Sequence, residues 1–226
     1  MLKEILLGII VFIVFLSACN RAPELPVIPK IQFEEIQFKE VDGPDSLIVF
    51  INFEDGDGDL GLTSSDIFDE YAPYFVVLDQ NNDTIKYDSR PGLPDYNPID
   101  YVILRDEDGV ATDTILVEIN ENHYNYFIRF FTKKNGEYTE FDWRAPPYYQ
   151  TFDGRFPLLN RDIVDNQLKD RPLEGILKYG MTSSGWLFIF RDSVKISVQI
   201  QDRALNKSNI VESPDFTLES IRVEVE

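Results

Sequence analysis

The 226-residue chain carries 40 acidic against 21 basic side chains, a formal charge of −19. Such a surface repels phosphate backbones and anionic headgroups, which argues against nucleic acid and against direct adsorption to charged lipid, while it favours solubility and divalent cations. Hydrophobic residues at 43% suffice for a real core, and the lone cysteine, Cys19, excludes an intramolecular disulfide or a thiolate metal site.

From the N-terminus, Lys3 precedes an unbroken apolar run, Ile5 to Leu16 (ILLGIIVFIVFL). As a helix it would span roughly 18 Å against ~30 Å of bilayer hydrocarbon, so it is predicted to be the core of a secretory signal and not a mature membrane span. Leu16-Ser17-Ala18-Cys19 follows. This tetrapeptide resembles the lipobox of bacterial lipoproteins; the alternative is an ordinary signal or anchor helix with a chance cysteine. The resemblance implies removal of residues 1–18 as a signal peptide and a covalent diacylglycerol lipid on Cys19. In that family an Asp after the cysteine favours inner-membrane retention. Asn20 stands there, which implies the outer membrane. Asn20–Glu24 lacks the acidic run that sends some Bacteroidota-type lipoproteins to the surface, so the expectation leans to the periplasmic face. Lys3 and Glu4 leave together, and the mature chain keeps its charge of −19. Pro23, Pro26 and Pro29 make residues 19–30 an extended, Pro-rich tether, and residues 31–226 are expected to form one domain.

Beyond Lys30 the chain reads as strands. Ile31–Phe33 and Ile36–Phe38 alternate, and Leu47–Phe53 (LIVFINF) is a buried, β-branched run. Tyr74–Leu78, Thr84–Tyr87, Tyr101–Leu104, Thr114–Ile119, Tyr126–Thr132, Tyr138–Trp143, Trp186–Phe190, Val194–Gln201 and Phe216–Val225 follow as further candidates. Asn81-Asn82, Asp108-Gly109 and Asn135-Gly136 stand where hairpin turns need positive φ. Only Ser64–Tyr71 and Asn160–Leu168 read as short helices. The prediction is an all-β fold, an antiparallel immunoglobulin-like β-sandwich with long loop insertions. Asp45–Gly61 (DSLIVFINFEDGDGDLG) resembles the early strand and acidic loop of Bacteroidota-type lipoproteins. Lys195–Ser208 (KISVQIQDRALNKS) resembles the last strand pair of bacterial immunoglobulin-like modules. These resemblances bear on fold and location and name no activity.

Chemistry concentrates at Asp55-Gly56-Asp57-Gly58-Asp59-Leu60-Gly61. Three carboxylates at alternate positions on a glycine-freed backbone can wrap one hard cation. Counting Asp55 as position one, Asp57, Asp59, the Gly61 carbonyl and Asp66 fall at three, five, seven and twelve, spacing similar to calcium loops of the EF-hand kind. Leu60 replaces the glycine at position six and Asp66 the usual Glu, and the flanks read as strand. A calcium loop between strands and an ion-free, solvated Asp-Gly turn both stand as readings, with Asp202 a further candidate ligand. Asp106-Glu107-Asp108-Gly109 reads as a plain hairpin turn.

A second feature is an aromatic, proline-broken insertion holding Phe141, Trp143, Tyr148, Tyr149, Phe152 and Phe156. Prolines exclude a central strand there. The rings either cap the core, or anchor a protein partner through Trp143, Tyr148, Tyr149 and Phe152, or stack on glycan. Arg144, Arg155 and Arg161 border the loop and are expected mainly to satisfy its carbonyls. No nucleophile elbow, zinc helix or phosphate loop occurs, and the sole histidine, His123, lies in a polar turn. The leading expectation is therefore a non-catalytic accessory or scaffold subunit of an outer-membrane complex. A calcium-dependent glycan-binding lipoprotein is the alternative, and a carboxylate hydrolase a third.

Overall fold

The computed structural model describes residues 24–87, 92–93, 96–160, 163–164, 167–168 and 171–224. The signal run, Cys19 and Arg161 lie outside these residues. Twelve strands are described: β1 Lys30–Lys39, β2 Asp45–Asp55, β3 Tyr74–Val76, β4 Tyr101–Arg105, β5 Ala111–Ile119, β6 Tyr126–Lys134, β7 Glu137–Glu140, β8 Ile163–Val164, β9 Gln167–Leu168, β10 Leu173–Ser183, β11 Val194–Ile200 and β12 Val211–Glu212. One short helix, α1, covers Trp186–Ile189. Every pairing between these strands is antiparallel. They form sheets β1-β2-β10 and β12-β11-β6-β7, a smaller sheet β3-β5-β4 and a β8-β9 hairpin.

The period-two rule explains which side chains face inward. Along β2, Leu47, Val49, Ile51 and Phe53 are buried and lie on one face. Along β11 the same holds for Val194, Ile196, Val198 and Ile200. Both sets join Tyr126, Ile128 and Phe130 of β6 in one hydrophobic core. In β1 the inward residues change parity, from Ile31 to Ile36 and Phe38, because the register shifts between Phe33 and Glu35. That bulge is where the sequence pattern splits into two short runs. The sheet β3-β5-β4 falls between β2 and β6 in the chain, and its buried residues Tyr101, Ile115 and Val117 lie apart from the main core.

Five sequence expectations change. Trp186–Phe190 is not a strand: Trp186–Ile189 closes a helical turn, and a five-residue apolar run has no period with which to tell the two apart. Phe216–Val225 buries Phe216 and Leu218 but breaks at a 3-10 turn over Glu219–Ile221. Thr84–Tyr87 makes only isolated bridges, Thr84 to Leu78 and Lys86 to Ile115. Neither expected helix forms as such: Ser64–Tyr71 holds only a 3-10 turn at Asp69–Tyr71, and Ile163–Val164 pairs with Gln167–Leu168 as a hairpin. The turn expectations hold, with positive φ at Asn82, Gly109, Asn135 and Gly136. Among the described residues no helix is long and apolar enough to cross a membrane.

Candidate metal centre and aromatic loop

Strand alternation carries one residue further along β2 than the core needs. Asp55 follows Leu47, Val49, Ile51 and Phe53 on the inward face and is 0% exposed. Neither of its carboxylate oxygens has a hydrogen-bond partner, and the same holds for one buried oxygen each of Asp57 and Asp59. Ligating oxygens of these three residues lie within 4.8 Å of one another. Burial, followed by the charges of Asp57, Asp59 and Asp202, pushes the Asp55 carboxyl up to about 7. Burial, with the charges of Asp202 and Asp57, pushes Asp59 up to about 6. Asp202 is raised too, mainly by burial.

The loop after Asp55 is held by backbone contacts with three other segments. Gly56 N–H donates to Pro26 O at 2.7 Å, Arg171 N–H to Asp57 O at 3.1 Å, and Arg203 N–H to Asp59 O at 3.3 Å. A Cβ on Gly56 would strike the Leu25 carbonyl, and one on Gly58 the Arg171 carbonyl. The two glycines thus permit the close approach as well as the turn. Leu60 bridges Asp202 at the end of β11.

Of the sequence-predicted ligands, the structure brings together Asp55, Asp57 and Asp59. It sends Asp66 elsewhere. The Asp66 carboxylate pairs with Arg203 (2.5 Å) and accepts from Thr63 N–H (2.7 Å) and the Thr63 hydroxyl (2.9 Å). Burial alone would raise its pKa, but the Arg203 and Thr63 hydrogen bonds outweigh it and hold the carboxyl below its ordinary value. The twelfth position of an EF-hand-like loop is therefore already occupied by an arginine. Gly61, with φ +103°, packs its backbone against Pro157 and Leu158. The Asp202 oxygens accept from Asn206 N–H (2.7 Å) and its side-chain amide (2.9 Å), so Asp202 braces its own turn while adding negative charge beside the loop. Asp106 is a turn residue as expected, its Oδ1 accepting from Asp108 and Val110 N–H.

The aromatic loop divides. Trp143 is 6% exposed and belongs to the main core, and Phe152 is half-buried against that core. Trp143 sits in the core as a cap, and Phe152 packs against that core with part of its ring still exposed. Tyr149 is half-buried with a φ of +48°. Tyr148 remains 39% exposed. It lies at a groove of about 470 Å³ shared with Phe141, Phe188, Ile189, Phe190 and Lys134. Phe188, on α1, is 72% exposed. Reading Trp186–Phe190 as a strand hid this residue, since a strand would alternate Phe188 inward with Trp186. Arg155 reaches outside its own loop, donating to the carbonyls of Thr63 (2.9 Å) and Asp66 (2.8 Å) in the segment after the acidic loop. His123 is half-buried, its Nδ1 lying 2.9 Å from Tyr71 O and 3.0 Å from Arg155 Nη1.

Comparison with family models, curated proteins and solved structures found no match to this chain.

Proposed function

We propose that this chain is a non-catalytic outer-membrane lipoprotein that serves as an accessory or scaffold subunit of a cell-envelope protein complex. A diacylglycerol on Cys19 tethers it, and the periplasmic face is favoured by the sequence after that residue. The observation that carries the subunit reading is the exposed aromatic pair, Tyr148 and Phe188, at one groove. Large rings left in water at a concave surface, with lysines beside them, are the anchors that protein interfaces use. Phe75 and Val76 on β3, with Ile103 and Leu104 on β4, add exposed apolar area on the smaller sheet.

The strand order supports an immunoglobulin-like sandwich for the body. Lettered A (β1), B (β2), C (β6), C′ (β7), E (β10), F (β11) and G (β12), the sheets read A-B-E and G-F-C-C′. That order is what such a sandwich would give with no D strand among the described residues, which supports this reading. One insertion, between B and C, holds the smaller sheet, and another, between C′ and E, holds the aromatic loop. The glycan-binding alternative needs several rings on one exposed platform, and burial of Trp143 removes one of them.

Three experiments test the reading. Cys19→Ser should abolish lipid attachment and leave unprocessed precursor, read by mass spectrometry and membrane fractionation. Normal processing and membrane retention of that variant would reject the anchor. A photo-crosslinking side chain at Phe188, in the lipidated protein in its own envelope, should give one discrete protein adduct. The same probe at Ile176, exposed on β10, should give none. Changing Tyr148 and Phe188 together to Ala should leave stability within about 1 kcal/mol, as surface changes do, and remove the partner. Equal adducts at both positions, or none at Phe188, would sink the subunit reading.

A further inference from the structure

We propose that Asp55, Asp57 and Asp59 form a binding site for one calcium ion that locks the acidic end of the body. A fully buried carboxylate with both oxygens unpartnered is costly, and side-chain cations, protons or metal ions are the available remedies. Asp55 is in that position on the inward face of β2. The guanidinium beside the loop, Arg203, directs its side chain to Asp66 and offers the loop its backbone N–H at Asp59. Asp59 also accepts from Ala204 N–H at 3.0 Å through one oxygen, leaving its other oxygen buried and unpartnered.

The donors are all oxygen, which selects hard cations over zinc or copper. Calcium–oxygen bonds of 2.3–2.6 Å place two ligands of one ion up to about 5 Å apart, and the three carboxylates meet that limit. Calcium tolerates an irregular six- to eight-fold shell that water or backbone oxygens would complete, whereas magnesium demands a near-ideal, tighter octahedron. Through the contacts of Gly56, Asp57, Asp59 and Leu60, an ion here would hold the end of β2 against the tether at Pro26, the entry to β10 and the turn after β11.

The test uses the full chain, purified in detergent, stripped with chelator and titrated with calcium chloride. Equilibrium dialysis should give about one calcium per chain. The melting temperature should rise by roughly 5–10 °C at a hundredfold excess over the dissociation constant. Asp57→Asn should lose both the bound calcium and the rise. Asp66→Asn should still bind one calcium, because its carboxylate belongs to Arg203. Wild type that melts identically in calcium and in chelator would overturn the site. Loss of binding in Asp66→Asn would overturn this ligand set, and protection by magnesium chloride but not calcium would overturn the choice of ion. An Asp57→Asn chain that still binds one calcium, folded or not, would also count against it.

Discussion

Truncation of Trp143 to Ala should cost ~3–5 kcal/mol of unfolding free energy, the range for removing a large buried aromatic. Its indole touches the rings of Phe130, Phe141, Tyr148, Phe152, Trp186 and Phe190, with centroids 4.8–5.9 Å away. The contact with Phe130 joins the loop to β6, and the contact with Trp186 joins it to α1. A cavity at that junction has no single neighbour able to collapse into it. Against a total stability of 5–15 kcal/mol typical of such domains, the loss should lower the melting temperature by roughly 6–20 °C, read by calorimetry or urea titration. Phe188→Ala, on the exposed side of the same helical turn, should change stability by about 1 kcal/mol or less. If Trp143→Ala melts with wild type, the loop does not cap the core and its rings are free to serve as an interface.

The second large effect is an inverted pH response. In chelator, the protein should become more stable as pH falls from 8 towards 5. Asp55 has its folded pKa raised from 3.8 to about 7 by burial and by its acidic neighbours, and Asp59 to about 6. A carboxyl with a raised folded pKa contributes stability that is fully present below pH ~4 and is lost as pH rises through its folded value. The window is therefore pH 4 to 7. About three pH units at ~1.4 kcal/mol each make Asp55 alone worth on the order of 4 kcal/mol across it. Asp66 works in the opposite sense, since its pKa is lowered, but its contribution is lost only below pH ~4. Asp55→Asn should flatten the profile and raise stability at pH 8, because the amide replaces a buried charge and donates to the neighbouring carboxylates. A chelated wild type that loses stability monotonically between pH 8 and 5 would contradict this account.

What could be read in the sequence follows physical rules, and so does what could not. β2, β5, β6 and β11 are legible because β-branched and aromatic residues recur at alternate positions along them and supply most of their inward faces. β10 was not anticipated, although it pairs with β2 along its whole length from Leu173 to Ser183. Gly175 and Gly180 dilute its strand character, and exposed Ile176 interrupts the alternation set by buried Leu177 and Met181. A strand that borrows its order from a strong neighbour carries little signal of its own. At the acidic loop, spacing alone grouped Asp55, Asp57 and Asp59. Spacing also pointed to Asp66, and there it failed, because Arg203 lies 137 residues away and competes for that carboxylate. The burial of Asp55 was legible in principle: five alternating positions from Leu47 carry the inward face to it. In the aromatic loop, composition gave no clue to which rings would turn inward, since that depends on Phe130 and Trp186 from distant strands and turns.

If Cys19 carries the proposed lipid, the contact between Gly56 and Pro26 limits how far the body can stand from a bilayer. The Pro-rich segment does not hold the body away at its full length, because the chain is already fastened to the body at Pro26. With Cys19 lipidated, seven residues of leash remain, no more than about 25 Å when fully drawn out at ~3.5 Å per residue. On the lipid anchor proposed for Cys19, the body would be moored by its acidic loop end, close above the headgroups, with little freedom to swing. Held that low, it would meet only neighbours that share its membrane or stand against it, its reach set by the hydrogen bond from Gly56 N–H to Pro26 O as much as by the number of prolines.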